Sequence, residues 1–153
     1  MQAEIEKIRQ AIGQRGEYLY FIWKELQEAG VPEAEKILAA AVSKWGKYRS
    51  QAGGELNTPA DFIKRLESGN LPGVYEREIL ASSSDYGLVS LGFCPLVEAW
   101  RRLGASEEEL ALLCNIASEG DYALVGDKLK LEFQQKIATG DRQCLMKITP
   151  ADR

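Results

Sequence analysis

The sequence predicts an α+β fold, with a helical N-terminal region packed on a mostly antiparallel sheet made of two hairpins with intervening helices. Three observations lead there. Apolar residues recur at helical spacing through residues 1–69. Two stretches of the second half alternate in polarity on either side of turn residues. Two helix-start signals lie between those stretches.

Residues 3–12 place Ile5, Ile8 and Ile12 at helical spacing, and Gly13 and Gly16 then interrupt or loosen the pattern. Residues 18–29 form a second helical stretch that stops at Gly30-Val31-Pro32. Its aromatics Tyr18, Tyr20, Phe21 and Trp23 read as core between helices. From Glu33 to Arg49 one apolar stripe runs over four turns, and it predicts a helix that buries Ile37, Leu38, Val42 and Trp45. Thr58-Pro59-Ala60-Asp61 supplies an N-cap, a proline at the first helical position and an acid at the third. Phe62, Ile63 and Leu66 form the buried face of that short helix, and Gly69 closes it.

Residues 74–80 and 86–92 alternate and are joined by Ser-Ser-Ser-Asp, which predicts a hairpin. Cys94-Pro95 opens a helix that runs to Gly104. Ser106 to Glu109 is a capping box for the next helix, which carries Leu110, Leu113, Cys114 and Ala117 on one face and ends near Glu119-Gly120-Asp121. Residues 129–137 and 143–148 pair across Thr139-Gly140-Asp141 as the second hairpin. The domain is single, residues 1–153, with a helical part at 1–69 and a ββααββ part at 70–153.

Composition narrows the function. The chain has 153 residues and a net charge of −4, and apolar residues make up 45% of it, as in an ordinary globular domain. Residues 1–70 are neutral, with 10 basic and 10 acidic groups, so the surplus acid lies in the second half. A phosphate-neutralising surface needs the opposite sign, which argues against nucleic acid as a partner. No apolar run reaches the ~18 residues of a membrane helix, and the charged N-terminus does not resemble a signal peptide. Histidine is absent, which excludes Ser-His-Asp or Cys-His catalysis within one chain and any His-ligated metal. Three widely spaced cysteines with no export signal read as reduced thiols, and so as a cytoplasmic protein.

Cys94 carries the sharpest chemical signal. It stands at a strand-to-helix junction, where free N–H groups and the helix dipole favour a thiolate, a nucleophile or a bound anion. It is therefore expected to have the lowest pKa of the three thiols. The alternative is a small buried side chain at a tight junction. Taken alone, Cys114 and Cys144 read as core. Asp121 reads as a capping residue at a helix break, and Asp141 as a turn former. Three thiols and a carboxylate can form a tetrahedral metal site, although no C-x-x-C pair is present.

The run Gly92-Phe93-Cys94-Pro95-Leu96, then Glu98-Ala99-Trp100, Leu103-Gly104, Cys114 ahead of NIASEGDY, and LEFQQKIATGDRQCLMKI resembles the L-2-amino-thiazoline-4-carboxylic acid hydrolase family. The likeness covers roughly the last 60 residues. It consists of a cysteine opening a helix, a second cysteine followed by an aspartate, and a turn leading to a third cysteine in a strand. The resemblance implies one site built from these positions and a small-molecule substrate, a sulfur/nitrogen heterocycle opened by hydrolysis. Cys94 is then the nucleophile and Asp121 the acid–base group, while Cys114, Cys144 and Asp141 contact substrate. Lys136 or Arg142 would hold a substrate carboxylate. No cofactor is implied, and a homo-oligomer stays open. The alternative from another class is a non-catalytic small-ligand- or metal-binding module on the same scaffold.

Overall fold

The computed structural model describes residues 1–152 and is α+β. Helices α1 (Gln2–Glu28), α2 (Ala34–Ala52), α3 (Pro59–Ser68) and α4 (Pro72–Tyr75) come first. Strands β1 (Arg77–Ser82) and β2 (Gly87–Leu91) follow, then helices α5 (Pro95–Arg102) and α6 (Glu107–Leu124). Strands β3 (Leu129–Gln135) and β4 (Cys144–Pro150) close the chain, with a 3₁₀ turn at Ile137–Thr139 between them. The strands make one antiparallel sheet in the order β1-β2-β4-β3, so the two hairpins meet along β2 and β4.

Both capping boxes form as the residues dictate. The Thr58 hydroxyl accepts the Asp61 N–H while the Asp61 carboxylate accepts the Thr58 N–H, and Ser106 and Glu109 do the same for α6. The strands put Val89, Leu131, Met146 and Ile148 on one face, where Phe62 and Ile63 of α3 pack against them. Cys144 lies on that same face but joins a second cluster with Trp23, Leu38, Val97 and Trp100 of the helices. The other face is polar. There the Ser90 hydroxyl donates to Gln143 at 2.6 Å, and the Gln143 amide donates to Gln135 at 3.0 Å.

Several elements differ from expectation, and packing explains each. α1 runs unbroken through Gly13 and Gly16, both buried, because these glycines are where α5 crosses. A Cβ on Gly16 would sit 3.1 Å from Leu96 and 3.3 Å from the Trp100 indole nitrogen. The Trp100 indole N–H donates to the Gly16 carbonyl at 2.8 Å. Of the four α1 aromatics, Trp23 is buried and Tyr20 packs beside the core, but Tyr18 and Phe21 are exposed. β1 begins at Arg77, later than expected. Pro72 starts a short helical turn there, and Glu76, at φ 51°, ends it.

The buried line of α2 is also rotated. Leu38 and Val42 face the core as expected, but Ile37 is 52% and Trp45 42% exposed. Ala34, Leu38, Val42 and Gly46 instead make one i, i+4 ridge. The reason lies at its end, where Gly46 meets Gly120 of α6. A Cβ on Gly46 would lie 2.9 Å from the Ala123 Cβ and 3.0 Å from the Gly120 carbonyl carbon. Only a bare backbone fits, and that contact fixes which face of α2 turns inward. α6 in turn continues through Gly120 to Leu124 rather than stopping at the glycine.

We predict that Gly46→Ala lowers stability by about 1–3 kcal/mol, the usual cost of overpacking, despite a helix-propensity gain of about 1 kcal/mol. Thermal unfolding followed by circular dichroism reads it. An unchanged or higher midpoint would show that α2 shifts freely on α6.

Candidate functional site

Four of the residues singled out from the sequence converge where α5, α6 and β4 meet. Cys94 is the N-cap of α5, one short turn after β2. Its side chain makes no capping hydrogen bond, but the free N–H groups of Leu96 and Val97 at the helix start favour its thiolate. Cys144 opens β4 opposite Leu91, and its sulfur accepts the Ile137 N–H at 3.4 Å. Cys114 lies on α6. One turn on, the Ser118 hydroxyl donates to the Cys114 carbonyl at 2.7 Å and lies 3.9 Å from its sulfur. All three are free thiols bordering one apolar cluster.

Charge ties the group together. Cys144 and Cys114 each oppose ionisation of Cys94, and Asp121 opposes that of Cys114 and Cys144. Asp121 stands in the last turns of α6 and is half-buried as a residue, yet its carboxyl is withdrawn enough that burial pushes its pKa up to about 6. The nearby cations Arg15, Lys136 and Arg49 act in the other direction. Lys136 reaches the site from the β3–β4 connection. Its ammonium donates to Asn115 and Ser118, each at 3.2 Å, and lies 5.1 Å from the Phe133 ring centre.

Burial reverses the expected order of the thiols. The helix-start N–H groups favour the Cys94 thiolate, but desolvation pushes its pKa up to about 12, and the other two are raised for the same reason. A helix-start field of about 0.3–1 kcal/mol does not offset removal of a thiolate from water. Asp141 takes the turn-forming role that its residue type and position predict. It is exposed, and its carboxylate accepts the Lys136 N–H at 2.8 Å, so it holds the turn that presents Lys136. Arg142 is exposed too. Among the described residues, no three His, Cys, Asp or Glu side chains stand together closely enough to hold a metal.

Four contributors were missed from the sequence. Tyr75 read as a strand residue, but it sits half-buried with its hydroxyl near Arg15, Cys94 and Asp121, and burial pushes its pKa up to about 12. Ser118 is buried beside Cys114. Arg15 and Arg49 lie on helices that looked purely structural. The two open surface depressions lie elsewhere, one at the α1–α2 turn beside Gln27 and Lys36, the other beside Leu56 and Lys128. Neither holds a convergent set of thiols and carboxylates.

The family model described as L-2-amino-thiazoline-4-carboxylic acid hydrolase matches residues 13–148, and the chain belongs to that family. The match takes in most of α1 and all of α2, well beyond the motif-bearing last third. No curated protein matches the chain. One similar solved structure is the phenol-responsive sensory domain of the transcription activator PoxR with phenol. It is 11% identical, with a TM-score of 0.47, over 88% of this chain and 73% of its own. No helix is long and apolar enough to cross a membrane among the described residues.

Two outcomes follow from the buried groups. In the native protein near neutral pH, Cys94 should alkylate more slowly than Cys114, and all three should react fast once denaturant opens the core; peptide mass mapping over time reads the order. The second concerns Asp121. Its folded pKa lies above the ordinary 3.8, so the stability it contributes is complete below that pH and is lost as pH rises through about 6. Asp121→Asn should therefore be more stable than the parent at pH 7–8 by about 1–2 kcal/mol, and the difference should vanish near pH 4. A variant less stable than the parent at pH 8 would place the carboxylate in a favourable ion pair instead.

Proposed function

We propose, from the premise that the chain is a member of this hydrolase family, that it opens a small sulfur/nitrogen heterocycle similar to L-2-amino-thiazoline-4-carboxylate. The observation that carries the reading is Asp121, a withdrawn carboxyl whose pKa is raised to about 6 beside Cys114, Cys144 and Lys136. A general base works best when its pKa lies close to the operating pH, and this chain has no histidine for the task.

Asp121 takes a proton from water, and the water oxygen bonds to the amidine carbon between ring sulfur and ring nitrogen. Lys136, a fixed positive charge beside Ser118, stabilises the charge that gathers as that carbon becomes tetrahedral. The bond from that carbon to one ring heteroatom then breaks. The departing atom takes the proton back from Asp121, so one water is added and the carboxylate is regenerated. Cys94 was expected to attack directly. Burial disfavours the Cys94 thiolate, so water is the nucleophile in this reading and Cys94 lines the site. Cys114 and Cys144 offer soft, polarisable contacts to a ring sulfur.

Incubation of purified protein with L-2-amino-thiazoline-4-carboxylate, followed by mass spectrometry, should show a ring-opened product heavier by one water. Asp121→Asn should lower kcat by about 10²–10⁴-fold, and the parent's kcat/KM should fall below about pH 6 as the base is protonated. Cys94→Ser should stay within about tenfold of the parent, since it removes a contact rather than the base. Loss of turnover in Cys94→Ser with the fold intact would return the attack to the thiol.

A further inference from the structure

Trp45 breaks the pattern of its helix. It belongs to the apolar stripe of α2 yet is 42% exposed, while the other two tryptophans are buried. Its ring does not hang free. A Cβ on Gly120 would lie 3.4 Å from two carbons of the indole, so the ring rests on the backbone of α6 one residue before Asp121. Two guanidiniums flank it. Arg15 of α1 lies 5.3 Å and Arg49 of α2 lies 5.1 Å from the ring centroid. Both arginines are exposed, and among the described residues neither is ion-paired with a carboxylate.

Arg15 also meets the Tyr75 hydroxyl, and both guanidiniums stand within reach of Asp121, so positive charge gathers at this one ring. Two like charges share one aromatic in a protein whose net charge is −4. A guanidinium presents paired N–H donors suited to a carboxylate, and an indole face accepts a flat ring. We propose that Arg15, Trp45 and Arg49 form the mouth of the site and recognise the carboxylate of a small planar heterocyclic acid, whose ring lies against Trp45 and points past Gly120 toward Asp121. The assignment deepens the hydrolase reading and rests on it for the identity of the reacting ring. It moves the carboxylate partner from Lys136 and Arg142 to the two helices. Arg142 is exposed in the β3–β4 connection, and Lys136 already donates to Asn115 and Ser118.

Trp45 supplies its own probe, because its exposure makes its fluorescence the one most open to a ligand at the mouth. Titration with thiazole-4-carboxylate should change that emission, and thiazole-4-carboxylate methyl ester, neutral and larger by one methyl group, should bind at least about tenfold more weakly. Arg15→Gln and Arg49→Gln should each weaken the acid by about tenfold or more and leave the ester unchanged. In turnover of L-2-amino-thiazoline-4-carboxylate both should raise KM, and their pH profiles should shift to higher pH than the parent's, because Asp121 loses a cation that holds its pKa down. Equal binding of acid and ester, or arginine variants that bind the acid as the parent does, would overturn the proposal. Arginine-dependent binding of the acid without any turnover would sink the hydrolase reading and leave the mouth standing. Turnover indifferent to both arginines would do the reverse.

Discussion

Gly46 and Gly120 let α2 and α6 touch backbone to backbone, and the candidate site is arranged around that contact. A side chain at either position would hold the helices apart: a Cβ on Gly46 meets the Gly120 carbonyl carbon at 3.0 Å, and one on Gly120 meets Val42 at 3.2 Å. The close approach rotates α2 so that Leu38 enters the core and Trp45 lies over α6. It also puts the Arg49 and Asp121 charges within reach of each other. The second glycine crossing, at Gly13 and Gly16, seats α1 on α5 and brings Arg15 toward the same aspartate. Each glycine weakens its helix by about 1 kcal/mol relative to alanine, a local loss that tertiary packing offsets.

Cys94 shows how two correct local arguments are decided by magnitude. The helix start is real, and the N–H groups of Leu96 and Val97 favour the thiolate, although the side chain makes no capping hydrogen bond. A dipole of this kind contributes about 0.3–1 kcal/mol. The rise of the thiol from 9.0 to about 12 corresponds to about 4 kcal/mol against the charged form, so burial prevails. The same term acting on Asp121 gives a useful outcome, because a carboxyl begins far below neutrality and is lifted toward it. Equivalent desolvation disarms a thiol and tunes an acid.

The parts of the fold legible in the sequence were those written in local chemistry. Thr58 with Asp61 and Ser106 with Glu109 state their capping boxes in four residues each, and the alternation around Met146 and Ile148 states a half-buried strand. What escaped was written in contacts between distant segments. Gly13 and Gly16 look like helix breakers until Trp100, more than eighty residues on, is known to donate into that turn. Trp45 fits the apolar stripe by spacing, and only the bare backbone at Gly46 shows why a smaller residue takes its place inside. The cysteines and Asp121 were found through motif order. Arg15, Arg49 and Tyr75 were not, because no spacing rule links α1, α2 and the turn before β1 to a carboxylate on α6.

The electrostatics of the site follow from those convergences. Burial alone would drive Asp121 higher still, toward a permanently neutral acid unable to accept a proton at pH 7. Arg15, Lys136 and Arg49 pull it back, each from a different element, and the balance settles at about 6. The cations are therefore doubly placed. They hold the Asp121 pKa down, and two of them, Arg15 and Arg49, also flank Trp45. An anion at Trp45 would partly cancel their pull and raise Asp121 further, making it a stronger base when substrate arrives. In the proposed reaction, recognition and basicity are coupled through the same two guanidiniums, whose helices are seated by the crossings at Gly16 and Gly46.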